Sequence, residues 1–274
     1  MNCYFINLAS AKDRRTTLEE NLHTQAPHWQ IHRIEAVTAA EAINQSDYNS
    51  ADNPSATGCY LSHIRAIEAS LIHPDHVVIL EDDSKFGQRS AQTIENVVGS
   101  LPQDSWDIIF GSVTYLNIQH ANEAFFRTRQ ARVSNSILFS EAGQVDFACA
   151  TTYVVNKSSK VKLLDLLKSK PRNNGYDMQL REFLHSGQLR GLIPHPFLTT
   201  VSHHSSTSQL NQNGLHDQQT DCVLNAFRKL LFAERNLEEI RQDLISTKGY
   251  FDDAESEVFS RIYAAFLSPK FKGK

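Results

Sequence analysis

The feature that most constrains this chain is an apolar run that ends in three consecutive carboxylates. Residues 76–80 read HVVIL, and Glu81, Asp82 and Asp83 follow without a break. A short run of this kind is typical of a strand that is buried on both faces, as in the centre of a parallel sheet. Open α/β sheets bind their ligands at the carboxyl ends of the strands. The three carboxylates are therefore predicted to lie at a binding site.

Strands and helices alternate along the first 111 residues. Residues 2–8, 29–37 and 106–110 are predicted strands, and residues 58–72 have the apolar spacing of an amphipathic helix. This alternation predicts the α/β class. Further predicted elements are a strand or strand pair over 145–155 and helices over about 157–169 and 176–185.

The end of the chain differs in composition from the beginning. Residues 196–220 are rich in Ser, Thr, Gln, Asn and His, and an amphipathic helix is predicted over 221–247. A loop of this length is usually functional or disordered. We predict a first domain over residues 1–220 and a helical C-terminal extension over 221–274.

The composition argues against several classes of protein. With Lys+Arg 27 and Asp+Glu 31, the net charge of −4 lacks the basic excess of nucleic-acid binders. No apolar run approaches the roughly 20 residues of a membrane span, and the first eight residues do not resemble a signal peptide. The four cysteines form no CxxC pair, so we expect reduced thiols and a cytoplasmic location.

The carboxylate triplet itself suggests a metal site. Three adjacent carboxylates at a buried strand end repel one another. A divalent cation would remove this repulsion, and hard oxygen ligands suit magnesium or manganese. The alternative is a solvated acidic turn that caps the next helix.

Two upstream segments contain side chains suited to a nucleotide. His63 lies at the edge of the apolar stripe of the 58–72 helix, where it can face a cleft; a structural histidine is the alternative. Arg14 and Arg15 begin the helix after the first strand, where positive charge is unfavourable for the helix dipole. Contact with a nucleotide base or phosphate would explain them, and solvated surface arginines are the alternative.

Together these elements resemble glycosyltransferase family 25, which includes bacterial lipooligosaccharide galactosyltransferases and related collagen-modifying enzymes. Over about residues 2–115 the order and spacing agree: INL and RR near the start, EAV at 35–37, GCYLSH at 58–63, and ILEDD at 79–83 followed by Phe86. The resemblance implies a GT-A-like fold, a mostly parallel sheet with helices on both faces that binds a nucleotide-sugar. Beyond about residue 195 the agreement is weak.

The resemblance also implies a metal site and a donor site. The triplet would be this family's form of the metal-binding DxD motif, with Asp83 as the direct ligand of Mn²⁺, or alternatively Mg²⁺. Many GT-A enzymes supply a late histidine as a second ligand, and the pair His203-His204 takes that place here, with His203 as the ligand; two ordinary histidines of a flexible loop are the alternative. Glu81 and Asp82 would contact the ribose or metal-bound water. The implied donor-binding residues are Asn7, Arg14, Arg15, Ser62, His63, Glu81 and Asp82.

The implied reaction is an inverting transfer from a UDP-sugar, most often UDP-galactose, to a saccharide of a lipooligosaccharide or lipopolysaccharide. An inverting displacement needs a base on the acceptor hydroxyl. Asp177 matches the late aspartate of the family and is predicted to be this base or to position the acceptor, with Asp146 in reserve. The alternative for Asp177 is a carboxylate stabilised by the N-terminus of a helix. The polar stretch 196–220 would close over the donor.

The acceptor is expected to be lipid-linked, which gives the basic C-terminus a role. Lys270, Lys272 and Lys274 could contact the anionic inner-membrane surface; a frayed, solvated terminus is the alternative. Two other functions remain open. A catalytically silent nucleotide-sugar-binding protein would share the fold, and acidic strand ends also serve metal-dependent phosphoesterases.

Overall fold

The computed structural model describes residues 1–44, 53–169, 175–207 and 215–245, together with residues 253–255, 258 and 262. The strands are β1 (Asn2–Asn7), β2 (Gln30–Glu35), β3 (Val77–Glu81), β4 (Ser84–Lys85), β5 (Ile108–Tyr115), β6 (Leu138–Glu141), β7 (Phe147–Val155), β8 (Gly191–His195) and β9 (Thr200–Val201). The α-helices are α1 (Lys12–Gln25), α2 (Ala39–Ile43), α3 (Pro54–Ser70), α4 (Ser90–Ser100), α5 (Ile118–Val133), α6 (Lys160–Ser169), α7 (Tyr176–His185), α8 (Leu215–Leu231) and α9 (Leu237–Ile245).

A seven-stranded sheet in the order β2-β1-β3-β7-β5-β8-β6 forms the centre of the molecule. β1 pairs in parallel with both β2 and β3, and β5 pairs in parallel with β8. β7 is antiparallel to β3 and β5, and β6 is antiparallel to β8. Five of these seven strands therefore point in the same direction, which confirms the predicted mostly parallel sheet. A small second sheet pairs β4 with β9.

Helices cover both faces of the sheet because its central strands are apolar on both sides. Along β3, Val77 and Ile79 belong to one core cluster, which α3, α6 and α7 complete. Val78 and Leu80 belong to a second cluster on the opposite face, which α1 and α4 complete. All four side chains are fully buried. The predicted strand 76–80 is thus a central strand that ends at the carboxylates.

The helix predicted over 221–247 is two helices. α8 begins earlier, at residue 215, and ends at Leu231; α9 follows after a break. Contacts with the sheet domain fix this break, because Phe232 bridges to Phe197 and the Glu234 carboxylate accepts the backbone N–H groups of Gln88 and Arg89 at the start of α4. A helix continued through these residues would lose those contacts.

Outside the sheet centre, one helix was not predicted and another begins earlier than predicted. No helix is predicted over residues 118–133, where α5 lies, because its apolar face is too narrow to give a clear helical period. α3 begins at Pro54, earlier than predicted, because the Asn53 side chain accepts the N–H groups of Ser55 and Ala56.

α8 packs against β5 and β9, and a boundary between residues 220 and 221 falls inside this helix. Among the described residues, no helix is long and apolar enough to cross a membrane. The basic residues Lys270, Lys272 and Lys274, and residues 208–214 of the predicted closing loop, lie outside the described part of the chain.

Candidate active site

β3 delivers the carboxylate triplet to the junction of two cavities. The first has a volume of about 290 Å³ and the second about 210 Å³. Both are lined by Cys59, Glu81 and Asp83. Side chains from the ends of β1 and β2 complete the first cavity, and side chains from β7, α7 and α8 complete the second. A ligand that fills both cavities would therefore pass the carboxylates.

Asp82 is held in place by hydrogen bonds from the first strand and the first helix. Asn7 Nδ2 donates to its Oδ2 at 2.8 Å, and Arg14 Nε donates to its Oδ1 at 2.7 Å. Arg14 Nη1 also donates to the His204 carbonyl at 2.8 Å, and Arg33 Nε donates to the Asn7 side-chain oxygen at 3.2 Å. Both oxygens of Asp82 are thus occupied, and this network forms a preformed wall of the first cavity.

Asp83, the next residue, is satisfied much less completely. Its Oδ1 is buried and has no hydrogen-bond partner among the described residues. Its Oδ2 lies 3.9 Å from Arg14 Nη2. Burial raises the pKa of Asp83 to about 7, and the neighbouring Glu81 charge adds to the effect. A buried charge without a partner costs free energy, so this oxygen fits a ligand that brings positive charge.

His63 lies behind the carboxylates and does not line either cavity. It is fully buried, stacks on Tyr176 at 3.8 Å, and contacts the Tyr153 hydroxyl at 3.0 Å and Glu81 Oε1 at 3.2 Å. Tyr176 donates to the Tyr153 hydroxyl at 2.7 Å, so a chain of hydrogen bonds links Tyr176, Tyr153, His63 and Glu81. The prediction that His63 faces a cleft is wrong, because Tyr153 and Tyr176 enclose the imidazole. Its contact is with Glu81.

The pKa of Glu81 reflects this contact. Burial by itself would raise it, but the hydrogen bond and charge of His63, with further contributions from Arg228 and Arg14, lower it. Glu81 is therefore an anion at neutral pH. Cys59, His63 and Glu81 place one ligand atom each within 4.8 Å of one another. Burial, followed by the nearby carboxylates, raises the pKa of the Cys59 thiol well above its usual value, which disfavours the thiolate that a metal would need.

Ser62 connects the GCYLSH motif at 58–63 to the EAV motif at 35–37. Its hydroxyl donates to the Gly58 carbonyl at 2.7 Å and accepts the Val37 N–H at 2.8 Å. A Cβ on Gly58 would stand 2.5 Å from the Val37 carbonyl oxygen. The glycine therefore allows α3 to approach the segment after β2, and the serine fixes it there. Ser62 and Val37 both line the first cavity.

Three of the predicted site residues lie outside the lining of the two cavities. The Arg15 side chain donates to Glu19 at 2.8 Å on the exposed side of α1, and Asp146 is half exposed beside His120. Neither lines the two cavities. His203 is exposed, but it directly follows Ser202, whose N–H donates to the Asp83 carbonyl at 2.7 Å. The pairing of β4 with β9 thus brings the backbone before His203 to the carboxylate triplet.

Asp177 lies in the second cavity, at the start of α7. Its Oδ2 accepts the Cys149 N–H at 2.7 Å, and its Oδ1 accepts the Met178 N–H at 2.9 Å. Cys149 has a φ of 65°, a left-handed conformation that is unusual for a residue with a side chain. Asp177 therefore stabilises a strained backbone. Each carboxylate oxygen retains acceptor capacity, since a carboxylate offers about four lone-pair sites.

The sequence reading missed Arg228, which α8 brings into the second cavity. It is 3% exposed, and its Nη2 donates to Ser112 at 3.0 Å and to Thr151 at 2.8 Å. The sequence does indicate that Arg228 is buried, because it lies four residues after Leu224 and three before Leu231, on the apolar stripe of the predicted helix.

Comparison with known proteins identifies the class. The model of glycosyltransferase family 25, described as an LPS biosynthesis protein, matches residues 1–179. The chain belongs to this family, as the motifs predict, and the protein is a glycosyltransferase of an LPS-biosynthesis family. Comparison with curated proteins finds no sequence match.

Solved glycosyltransferase structures are also similar to this chain. The galactosyltransferase LgtC in complex with donor and acceptor sugar analogs is 12% identical, covering 70% of this chain and 73% of that chain with a TM-score of 0.35. Mouse xyloside xylosyltransferase 1 is 15% identical, covering 69% and 63% with a TM-score of 0.30. The glycosyltransferase GlyE of Streptococcus pneumoniae TIGR4 is 10% identical, covering 90% and 63% with a TM-score of 0.35.

Proposed function

We propose that this protein is a metal-dependent, inverting glycosyltransferase. It transfers a hexose, most simply galactose, from a UDP-sugar to a saccharide acceptor of a lipooligosaccharide or lipopolysaccharide. The observation that carries the proposal is Asp83, whose buried Oδ1 has no partner among the described residues although the side chain lines both cavities. A catalytically silent binding protein would have no need to keep such a costly group.

The first cavity is the proposed donor site. Asn7 and Arg14 fix Asp82 at 2.8 and 2.7 Å, so that its wall needs little rearrangement when a nucleotide binds. Glu81 and Ser62 line the same cavity, and His63 positions Glu81 from behind. Arg15 points away from this cavity, and we do not assign it a contact with the donor.

The residues at the junction fit a divalent cation. Asp83 offers a hard oxygen ligand that lacks a partner, which suits Mn²⁺ and, as the alternative, Mg²⁺. His203 is the proposed second ligand, supported by its position one residue after the Ser202–Asp83 hydrogen bond. When bound, such a cation would neutralise charge on the leaving diphosphate.

The second cavity is the proposed acceptor site. Asp177 lines it together with Asp83, and Asp177 is the proposed general base or acceptor-positioning residue. An inverting displacement requires the acceptor to attack from the side opposite the leaving group, and a second cavity that shares Glu81 and Asp83 with the first provides room for an acceptor next to the donor. Asp146 remains the reserve for the base, although it lies outside the cavity.

The acceptor of an LPS enzyme is lipid-linked, which motivates two further parts of the proposal. The protein acts at the cytoplasmic face of the inner membrane, with the basic C-terminal residues as a peripheral contact. The segment 196–220, in which β9 pairs with β4 directly after the triplet, closes over the donor and excludes water.

The test is release of UDP from UDP-galactose, UDP-glucose and UDP-N-acetylglucosamine with Mn²⁺, with and without EDTA. We expect turnover that depends on the metal and is fastest with UDP-galactose. UDP binding without turnover would favour a silent binding protein, and cleavage of simple phosphoesters alone would favour a phosphoesterase. NMR of the product's anomeric configuration tests inversion.

A further inference from the structure

Arg228 and Lys229 are adjacent buried cations on α8 with different electrostatic surroundings. Lys229 donates to Asp243 Oδ2 at 2.6 Å and lies 3.2 Å from Glu239 Oε1. Arg228 is 3% exposed, yet no carboxylate among the described residues lies within ion-pair distance of it. Its hydrogen-bond partners are the neutral hydroxyls of Ser112 and Thr151.

The guanidinium also has unused donors. Nη2 makes both of the hydrogen bonds, and Nε is buried without a partner. Nη1 forms no hydrogen bond to the residues that the structure describes. Buried charges in proteins are normally paired, because an unpaired charge keeps its desolvation penalty. An arginine fork that two hydroxyls hold in place, with no described carboxylate at ion-pair distance, is suited to bind a carboxylate or phosphate in a bidentate manner.

We propose that Arg228 binds an anionic group, a carboxylate or a phosphate, of the substrate that occupies the second cavity. This inference rests on the proposed function, because that function assigns the second cavity to the acceptor. Arg228 lines this cavity with Asp177 and does not line the first cavity with Asn7 and Arg14. The position therefore favours the acceptor over the donor diphosphate as the source of the anion.

The other charged residues that line the second cavity also affect which acceptors are expected to bind. Its other charged lining residues are the carboxylates Glu81, Asp83, Asp177 and Asp221. These carboxylates repel an anionic group and Arg228 attracts it, which fixes the orientation of the acceptor. The protein is thus expected to select an acidic saccharide over the neutral sugar of the same shape.

The test measures binding of three probes of one ring type, glucose, glucuronate and glucose 6-phosphate, by calorimetry in the presence of UDP and Mn²⁺. Wild-type protein should bind the two anionic sugars on the order of 10-fold or more tightly than glucose. Arg228→Gln should remove this preference, and Arg228→Lys should retain part of it. Arg132→Gln is the matched control, because Arg132 donates to backbone carbonyls near the end of α8 and lines neither cavity.

The affinity for UDP in the same variants identifies the source of the anion. Unchanged UDP affinity in Arg228→Gln, with loss of the anionic preference, supports an acidic acceptor. A 10-fold loss of UDP affinity, with the three sugars bound equally, assigns the anion to the donor and overturns the acceptor assignment. Equal binding of all three sugars and unchanged UDP affinity would show that Arg228 is structural.

Failure of the proposed function is detected separately. If wild-type protein turns over no UDP-sugar, while an Arg228-dependent preference for anionic sugars persists, the glycosyl transfer proposal fails and the anion site stands. Circular dichroism of Arg228→Gln and Arg228→Lys establishes that each variant folds before its affinities are compared.

Discussion

The two cavities differ in how their charged side chains are satisfied. In the first, Asp82 accepts hydrogen bonds from Asn7 and Arg14 on both oxygens. In the second, Arg228 Nε has no partner among the described residues, and neither does Oδ1 of Asp83 at the junction. Asp82 in the first cavity is thus satisfied by the protein itself, whereas Asp83, which both cavities share, and Arg228 in the second cavity each keep a buried polar atom with no partner among the described residues. Adjacent residues of one triplet can therefore have opposite roles, one structural and one ligand-binding.

The largest effect is expected for Asp83→Asn, which removes the carboxylate that has no partner. Loss of a metal ligand removes charge stabilisation in the transition state, so turnover should fall on the order of 10³-fold. Steady-state release of UDP measures this. Asp165→Asn, an exposed aspartate of α6, is the control and should match wild type. Near-normal turnover of Asp83→Asn would contradict the assignment.

Asp177→Asn tests whether the Asp177 carboxylate in the second cavity acts as the general base. As a general base, Asp177 should contribute about 10²–10⁴-fold to turnover, with little change in donor binding. Kinetics with varied acceptor at saturating donor measure this. A turnover within a few-fold of wild type at saturating acceptor, with a raised acceptor KM, would reduce Asp177 to a positioning residue and leave Asp146 as the reserve base.

Asp82→Asn should lower the free energy of unfolding more than Asp83→Asn does. The substitution breaks the ion pair with Arg14, whose side chain is 21% exposed, and leaves that guanidinium short of a partner. We expect a loss of about 2 kcal/mol in the free energy of unfolding, measured in urea. Asp83→Asn in the same experiment should lose nothing, and equal losses in the two variants would remove the contrast between them.

A further expected effect is a pH dependence of stability in the absence of metal. The pKa of Asp83 is raised from 3.8 to about 7 in the folded protein, so the folded state holds this proton when the unfolded state has released it. Stability should therefore decrease as pH rises from about 4 to about 7. Urea denaturation in EDTA should show a shallower decrease for Asp83→Asn than for wild type. Parallel curves would mean that Asp83 ionises normally.

The sequence predicts the first half of this molecule better than the second, for a physical reason. The strand 77–81, its apolar faces and the carboxylates at its end are contiguous in sequence, so their proximity needs no knowledge of the fold. The second cavity joins Cys149, Asp177 and Arg228, which are far apart in sequence. Only the packing of α7 and α8 on the sheet brings them together.

The burial of His63 could not be predicted from the sequence for a different reason. Its place at the edge of an apolar stripe is compatible with either a cleft or the core. Tyr153 and Tyr176, some 90 and 113 residues later, decide between them by enclosing the imidazole. Arg228 is the reverse case, since its position on the apolar stripe signalled burial, but the lack of an ion-pair partner appears only in the structure.

Mn²⁺ binding at the junction of the two cavities tests the proposed metal site directly. Calorimetric titration of Mn²⁺ into wild type, Asp83→Asn and Asp165→Asn, each with and without UDP, compares the affinities at constant pH. We predict that wild type and Asp165→Asn bind Mn²⁺ more tightly when UDP is present, and that Asp83→Asn loses on the order of 10-fold or more in affinity. Equal Mn²⁺ affinity in all three proteins would contradict this prediction.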